Sequence, residues 1–251
     1  MAIDSLRLPD LDQTDRLNNR LLAAMPQSAL LKPFIRQLVL QPGFICLDAG
    51  EAIELIYFPV SGLISLVVST SDGEVAETAM VGREGAVGLQ SAFGQRLSFT
   101  RAMVLVGGTF YAIPAEQLRL ALSEEAKALV YRYLETELAE ARQLAACNAI
   151  HDGPARLARW LLQSADRTGS DLLLLTQEQI SEMLALRRTT ITLLSQELQK
   201  RGAIRYSRGK ITITNRQALQ AAACECYGII ARLHRPPVVG AETDSSEAAA
   251  G

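Results

Sequence analysis

The sequence lacks any apolar run long enough to cross a bilayer: its most apolar stretches, about 53–68 and 172–175, are short or interrupted by polar residues. The first twenty residues, MAIDSLRLPDLDQTDRLNNR, mix acids with bases and hold no apolar core ahead of a small-residue cleavage site, so no secretory signal is expected there. A positive excess is also missing. With 25 Lys and Arg against 27 Asp and Glu the net charge is −2, which excludes a polycation that coats nucleic acid and requires any basic footprint to be local. Cysteine is scarce, at four residues, fewer than a disulfide framework would use and suited to a reducing compartment; a cytoplasmic location is the expectation. No nucleophile–base pair, no pair of carboxylates at a meaningful spacing and no phosphate loop with a lysine is present, and the glycines of VGREG and GAVG read as turns. An enzyme is therefore not expected, nor is a membrane partner.

What is present is a chain of 251 residues, 49% hydrophobic and 21% charged, long enough for two modest domains. From about Gln37 to Pro114 it is rich in Val, Ile, Leu, Phe and Tyr and punctuated at short intervals by glycine and proline, the rhythm of short strands joined by tight turns, so a small barrel or sandwich is expected. LISLVVSTSDGEVAETAMV shows one hairpin, turning at Asp72 and Gly73. A helical stretch at about 18–24 is expected to pack on this sheet.

Past Ser123 the punctuation stops. The run to Ile150 contains no Gly or Pro and opens with Glu124 and Glu125, where the positive end of a helix favours acids. At about 26 residues this helix is on the order of 39 Å long. Val130, Leu134, Leu138, Ala141, Ala145 and Asn148 share one stripe, which either packs on its own domain or, as expected for so long a helix, pairs with its twin in a homodimer, Asn148 bonding across the two-fold axis. Asp152, Gly153 and Pro154 then break the helix, making 151–153 a hinge. Residues 236–251, with Pro, small residues and acids and no apolar period, read as a disordered tail.

The segment LTQEQISEMLALRRTTITLLSQELQKRG carries the functional signal. Thr176 and Gln179 form a capping box that starts a short helix, and a second helix begins near Arg187 and ends at Gly202. Two helices joined by three or four residues make a helix-turn-helix. Ile191, Leu194 and Leu198 recur at core spacing, which turns Arg188, Thr189, Thr192 and Gln196 outward near the helix N-terminus. Arginine there can present two donors to guanine O6 and N7 in the major groove, and threonine can bond or contact a thymine methyl; a solvated face would use the same residues. AIRYSRGKITIT then alternates apolar and polar residues around Arg208 and Gly209, a β-hairpin wing. From Arg187 to Lys210 there are seven bases against one acid, Glu197, as phosphate contact requires. The expected contacts to double-stranded DNA are Arg187, Arg188, Thr189, Thr190, Thr192, Gln196, Lys200, Arg208 and Lys210.

A β-rich start, a long helix and a winged helix-turn-helix, with LTQEQISEMLALRRTTIT, GAIRYSRGKITI, YFPVSGLISLVV and VGREGAVG as its most specific parts, resemble the CRP/FNR superfamily of bacterial transcription regulators across about 18–227. The resemblance implies an α+β chain: a cyclic-nucleotide-binding-like β jelly roll used as a sensor (1–123), a dimerisation helix (124–150), a winged helix-turn-helix DNA-binding domain (151–235) and the tail. It also implies a homodimer docking two recognition helices in successive major grooves, and contact with RNA polymerase. In the family's pattern Arg188 matches the guanine-reading arginine. Thr189 stands where many members carry glutamate, and Leu193 where the cyclic-AMP regulators carry a second arginine, so a different half-site is expected.

For the sensor, the resemblance implies a Gly-Glu pair that bonds the ribose 2′-hydroxyl and an Arg-Ser pair that neutralises the cyclic phosphate. The matching positions of this possible effector pocket are Gly88-Leu89 and Arg101-Ala102, so the carboxylate and the hydroxyl are replaced. Losing two partners at about 1–3 kcal/mol each weakens nucleotide binding by about two to four orders of magnitude, and Arg101 is read as a structural salt-bridge residue ahead of an anion site. Some members hold an iron–sulfur cluster on four thiolates, mostly near the N-terminus. Here the cysteines are dispersed, Cys224 and Cys226 are expected on different sides of a helix, Cys46 and Cys147 as small buried apolar residues, and His151 and His234 without ligand spacing. No metal and no cofactor is expected.

Overall fold

The computed structural model describes residues 17–26 and 28–234; the expected tail at 236–251 and the first sixteen residues lie outside them. Among the described residues seven strands form the N-terminal domain: β1 (Arg36–Leu40), β2 (Ile45–Leu47), β3 (Leu55–Pro59), β4 (Leu63–Ser69), β5 (Val75–Val81), β6 (Arg101–Val106) and β7 (Gly108–Pro114). They make two antiparallel sheets, β1-β7-β3 and β2-β6-β4-β5. The sheets enclose Ile56, Phe58, Ile64, Val104, Phe110 and Ile113, each almost wholly removed from water. The β4–β5 hairpin turns as expected, with Gly73 at φ +81° and the Thr70 N–H bonded to the Glu74 carbonyl at 2.9 Å.

Helix α1 (Arg20–Ala24) packs on this domain through Leu21 and Leu22. Its cap, Asn19, is fully buried and uses every polar atom of its side chain: Oδ1 accepts from the Leu22 N–H, while Nδ2 donates to the carbonyls of Pro59 and Gly85. After α2 (Ala115–Ala121), Ser123 caps α3 (Glu124–Ile150), 27 residues long. The face of α3 buried within the chain is Ala126, Val130, Tyr133, Glu140, Leu144 and Cys147. Of the stripe read from the sequence only Val130 is fully covered within the chain, while Leu138, Ala145 and Asn148 are exposed, so the stripe does not pack on its own domain as a whole. At 100° per residue the two faces are centred about 90° apart; the barrel and the later helices cover one, through Tyr133 against Gly85 and Cys147 against Cys224 and Cys226, and the other stays open. Gly85 lets the barrel approach α3, since a Cβ there would lie 2.0 Å from the Tyr133 hydroxyl.

The break at 151–153 is present. Asp152 caps α4 (Gly153–Thr168) by accepting from the Ala155 N–H, and Pro154 sits in the first turn. Beyond it come β8 (Leu172–Leu174), α5 (Gln177–Leu184), α6 (Arg188–Lys200), β9 (Ile204–Ser207), β10 (Lys210–Ile213), α7 (Arg216–Ala222) and α8 (Cys226–Leu233). The wing is a three-stranded sheet, β8-β10-β9, its outer strand contributed from ahead of the helix pair. A second core joins the two domains: Leu63, Val67, Met80, Leu105 and Val106 of the barrel pack with Leu157, Trp160, Leu161, Ile180, Ile191 and Ile211. Buried polar contacts cross the same boundary. The Trp160 indole N–H and the Ser65 hydroxyl donate to the two oxygens of Glu77, at 2.7 and 2.6 Å. Arg167 of α4 reaches Glu140 of α3 at 2.6 Å and Glu84 of the barrel at 3.2 Å.

Candidate nucleic-acid interface

The helix pair is built as its sequence directs. The Thr176 hydroxyl accepts from the Gln179 N–H, and the Gln179 side chain accepts from the Thr176 N–H, closing the capping box. At the other end of α5, Ala185 takes a left-handed φ of +49° and the Leu186 N–H bonds back to the Ser181 carbonyl at 3.0 Å. The chain is thus turned within three residues into α6. Ile191, Ser195 and Leu198 are the buried side of α6, with Leu194 packed against the same core.

The opposite side carries the expected readers. Arg187, Arg188, Thr189, Gln196, Lys200, Arg208 and Lys210 are exposed, while Thr190 and Thr192 are half-buried. Leu193 is 66% exposed, an apolar side chain set among them. Arg208 and Gly209 both hold positive φ at the tip of the wing, the backbone of a two-residue turn that suits the twist of its strands. The wing is pinned to α6 by the Gln199 side-chain oxygen, which accepts from the Tyr206 N–H at 2.8 Å. Glu197, the one acid between Arg187 and Lys210, is ion-paired to Arg201. Among the described residues Arg187, Lys200, Arg205, Arg208 and Lys210 enter no ion pair, which leaves their charge available to phosphate.

Two residues of this face escape the sequence reading. Glu178 accepts from Arg188 Nη1 at 3.2 Å, and Gln177 accepts from the Thr192 hydroxyl at 2.8 Å. Both follow the Thr176 cap in the first turn of α5, where the TQEQ pattern encodes the cap and also sets them beside α6. An exposed pair of this kind contributes little to stability, typically under about 1 kcal/mol.

In the barrel, Leu89 and Ala102 are fully buried and offer no polar group. Gly88, at φ +93°, starts the short 3-10 helix Leu89–Phe93, and Arg101 makes a bidentate pair with Asp48 at 2.9 and 3.1 Å. The aspartate hydrogen bond and charge hold the Arg101 guanidinium more firmly protonated, and the same pairing holds the Asp48 carboxyl below its usual range.

The cysteines require a correction. Cys46 is buried, as expected, and burial pushes its thiol up to about 12. Cys147, Cys224 and Cys226, however, converge with His151: one ligand atom from each lies within 4.8 Å of all the others. Cys224 and Cys226 do not share a helix, because α7 ends at Ala222 and α8 begins at Cys226; the turn between them aims both sulfurs the same way. The signal that was legible is Cys-x3-His, an i,i+4 pair at the end of α3, together with Cys-x-Cys.

Comparison with known proteins places this architecture. Residues 155–222 match a family model described as a Crp-like helix-turn-helix domain, and residues 37–125 one described as a cyclic nucleotide-binding domain. FixK2 from Bradyrhizobium japonicum is similar in structure, with a TM-score of 0.65 at 18% identity over 76% of this chain and 98% of that one. A CRP-family transcriptional regulator from Thermus thermophilus gives 0.63 at 19% identity, over 75% and 96%. A CRP/FNR-family transcriptional regulator from the same organism gives 0.61 at 21%, over 75% and 98%. At such identities the likeness is one of fold. No curated protein matches the chain.

Proposed function

Because this chain belongs to the CRP/FNR superfamily of transcription regulators, we propose that it acts as a homodimer that reads a palindromic operator in duplex DNA, in the cytoplasm. The observation that carries the reading is the outward face of α6 and its wing, where exposed Arg188, Thr189 and Gln196 are flanked by Arg187, Lys200, Arg208 and Lys210. The polar side chains near the start of α6 meet base edges in the major groove, Arg188 on a guanine, with Thr190 and Thr192 beside it. The flanking bases neutralise phosphates and set the register. Leu193 gives the half-site an apolar contact, such as a thymine methyl.

Dimerisation is supported by the open side of α3, where Leu138 is 50% exposed on a 27-residue helix. A two-fold axis along that helix presents two α6 helices to successive major grooves, with half-sites about 34 Å apart. The barrel does not bind cyclic AMP in the family's usual manner, since Leu89 and Ala102 face the core and Arg101 is committed to Asp48. Contact with RNA polymerase, and a role other than catalysis, follow from the family premise. Selection of randomised duplexes by the full-length protein tests the reading. An inverted repeat, one half-site per subunit, is expected; retention of duplexes without sequence enrichment would refute it.

A further inference from the structure

Four chemistry-bearing side chains meet at the junction between the long helix and the last helices of the chain, away from the DNA-reading face. Cys147 and His151 come from the end of α3, Cys224 and Cys226 from the turn between α7 and α8. All three sulfurs are buried, and Ala155 of α4 packs against them. The spacing is specific. The sulfurs of Cys147 and Cys224 are 3.5 Å apart, and Cys226 Sγ is 3.6 Å from His151 Nδ1. A tetrahedral ion with bonds of about 2.3 Å to sulfur and about 2.05 Å to nitrogen requires edges of about 3.8 Å and about 3.6 Å. Ligands on the separate irons of a four-iron cluster stand around a larger body, so the compactness of this group selects a single ion.

Further contacts are those a ligand set needs. His151 presents Nδ1 to the sulfurs and is held through Nε2 by the Glu225 carboxylate at 3.2 Å, the carboxylate–histidine arrangement that orients a metal-bound imidazole. The Gln143 amide N–H donates to Cys226 Sγ at 3.1 Å, a contact that favours thiolate over thiol. Three thiolates, a neutral imidazole and a divalent ion sum to one negative charge, and the buried guanidinium of Arg159 is close enough to Cys147 to act on it electrostatically.

We propose that Cys147, His151, Cys224 and Cys226 form a closed tetrahedral site for one divalent ion of the zinc type. Four protein ligands leave no open position, so the site is structural: the ion fastens the end of α3 to the α7–α8 turn and bridges the break at 151–153. It thereby fixes the winged domain against the dimerisation helix. Cys224 and Cys226 follow the matched helix-turn-helix segment, which ends at residue 222, and Cys46 takes no part.

The test uses the full-length protein, stripped with a chelator under reducing conditions and titrated with Zn2+ against a chromophoric competitor. One equivalent per chain is expected, and Co2+ in its place gives the intense visible bands of a tetrahedral ion with thiolate charge transfer. Cys226→Ser and His151→Ala each abolish stoichiometric binding, whereas Cys46→Ser leaves it unchanged. Glu225→Gln lies on an exposed side chain and spares the fold; it weakens Zn2+ binding about 10–100-fold. The proposal is overturned if the folded protein takes up no stoichiometric Zn2+. It is equally overturned if Cys226→Ser and Glu225→Gln both bind like the parent, or if anaerobic incubation with iron and sulfide installs four irons per chain on these residues.

Discussion

Replacing Glu77 with glutamine should remove one source of pH dependence from the junction between the two domains. Glu77 is buried where β5 meets α4, and desolvation raises its pKa to about 7, against the hydrogen bonds from Ser65 and Trp160 and the charges of Arg159 and Arg167, which favour the carboxylate. In the unfolded chain it titrates near 4.5. A carboxyl whose folded pKa lies above its unfolded one contributes stability in full below 4.5 and loses it as pH rises to about 7, because the unfolded chain gives up its proton first. The difference between 4.5 and about 7, at about 1.4 kcal/mol per pH unit, is about 3 kcal/mol. Glu77→Gln mimics the protonated acid, accepting from Trp160 with its oxygen and donating to Ser65 with its amide. Urea titrations of parent and variant from pH 4 to pH 8.5 should give stabilities within about 1 kcal/mol at the acid end, with the variant ahead by about 3 kcal/mol above pH 7.5. Parallel curves across the range would refute the reasoning, since the carboxyl would then cost the folded state nothing on ionising.

Arg167→Ala strands Glu140, 1% exposed, without its main partner; a loss of about 3–5 kcal/mol is expected in urea unfolding at neutral pH, as for other broken buried pairs. Leu138→Glu sets like charges against each other on the open side of α3. It should shift the protein from dimer to monomer in sedimentation while leaving far-UV circular dichroism unchanged, because that side chain makes no part of the chain's own core. Truncating Lys210, exposed at the start of wing strand β10, should weaken binding to all duplexes alike and lower the slope of log K against log salt by about 0.9.

The elements with local causes were legible in the sequence. The long helix starts at Glu124 and breaks at 151–153, Thr176 closes its capping box, and the Arg208-Gly209 turn forms within the alternating wing segment. The outward side of α6 was legible too, since the spacing of Ile191, Leu194 and Leu198 settles which side faces out. What was hidden depends on contacts far apart in the chain. The face of α3 taken by the barrel is chosen by Tyr133 fitting against Gly85, which helical periodicity does not encode. The third wing strand comes from Leu172–Leu174, separated from its partner by both helices. The Cys147 and Cys224 sulfurs meet across 77 positions, and the bend at Ala223 that turns Cys224 and Cys226 together is a tertiary feature. The pairing of Arg188 with Glu178 likewise depends on how the first turn of α5 docks against α6.

The central claim is that α6 reads base edges, with Arg188 at a guanine. The most direct measurement is the affinity of the full-length protein and of Arg188→Ala for the selected duplex and for one with that guanine replaced, at fixed salt. Loss of a bidentate contact should cost about 1–3 kcal/mol, or about 5–150-fold, on the selected duplex, and the variant should no longer distinguish the two. Equal affinities of parent and variant for the selected duplex would contradict the account.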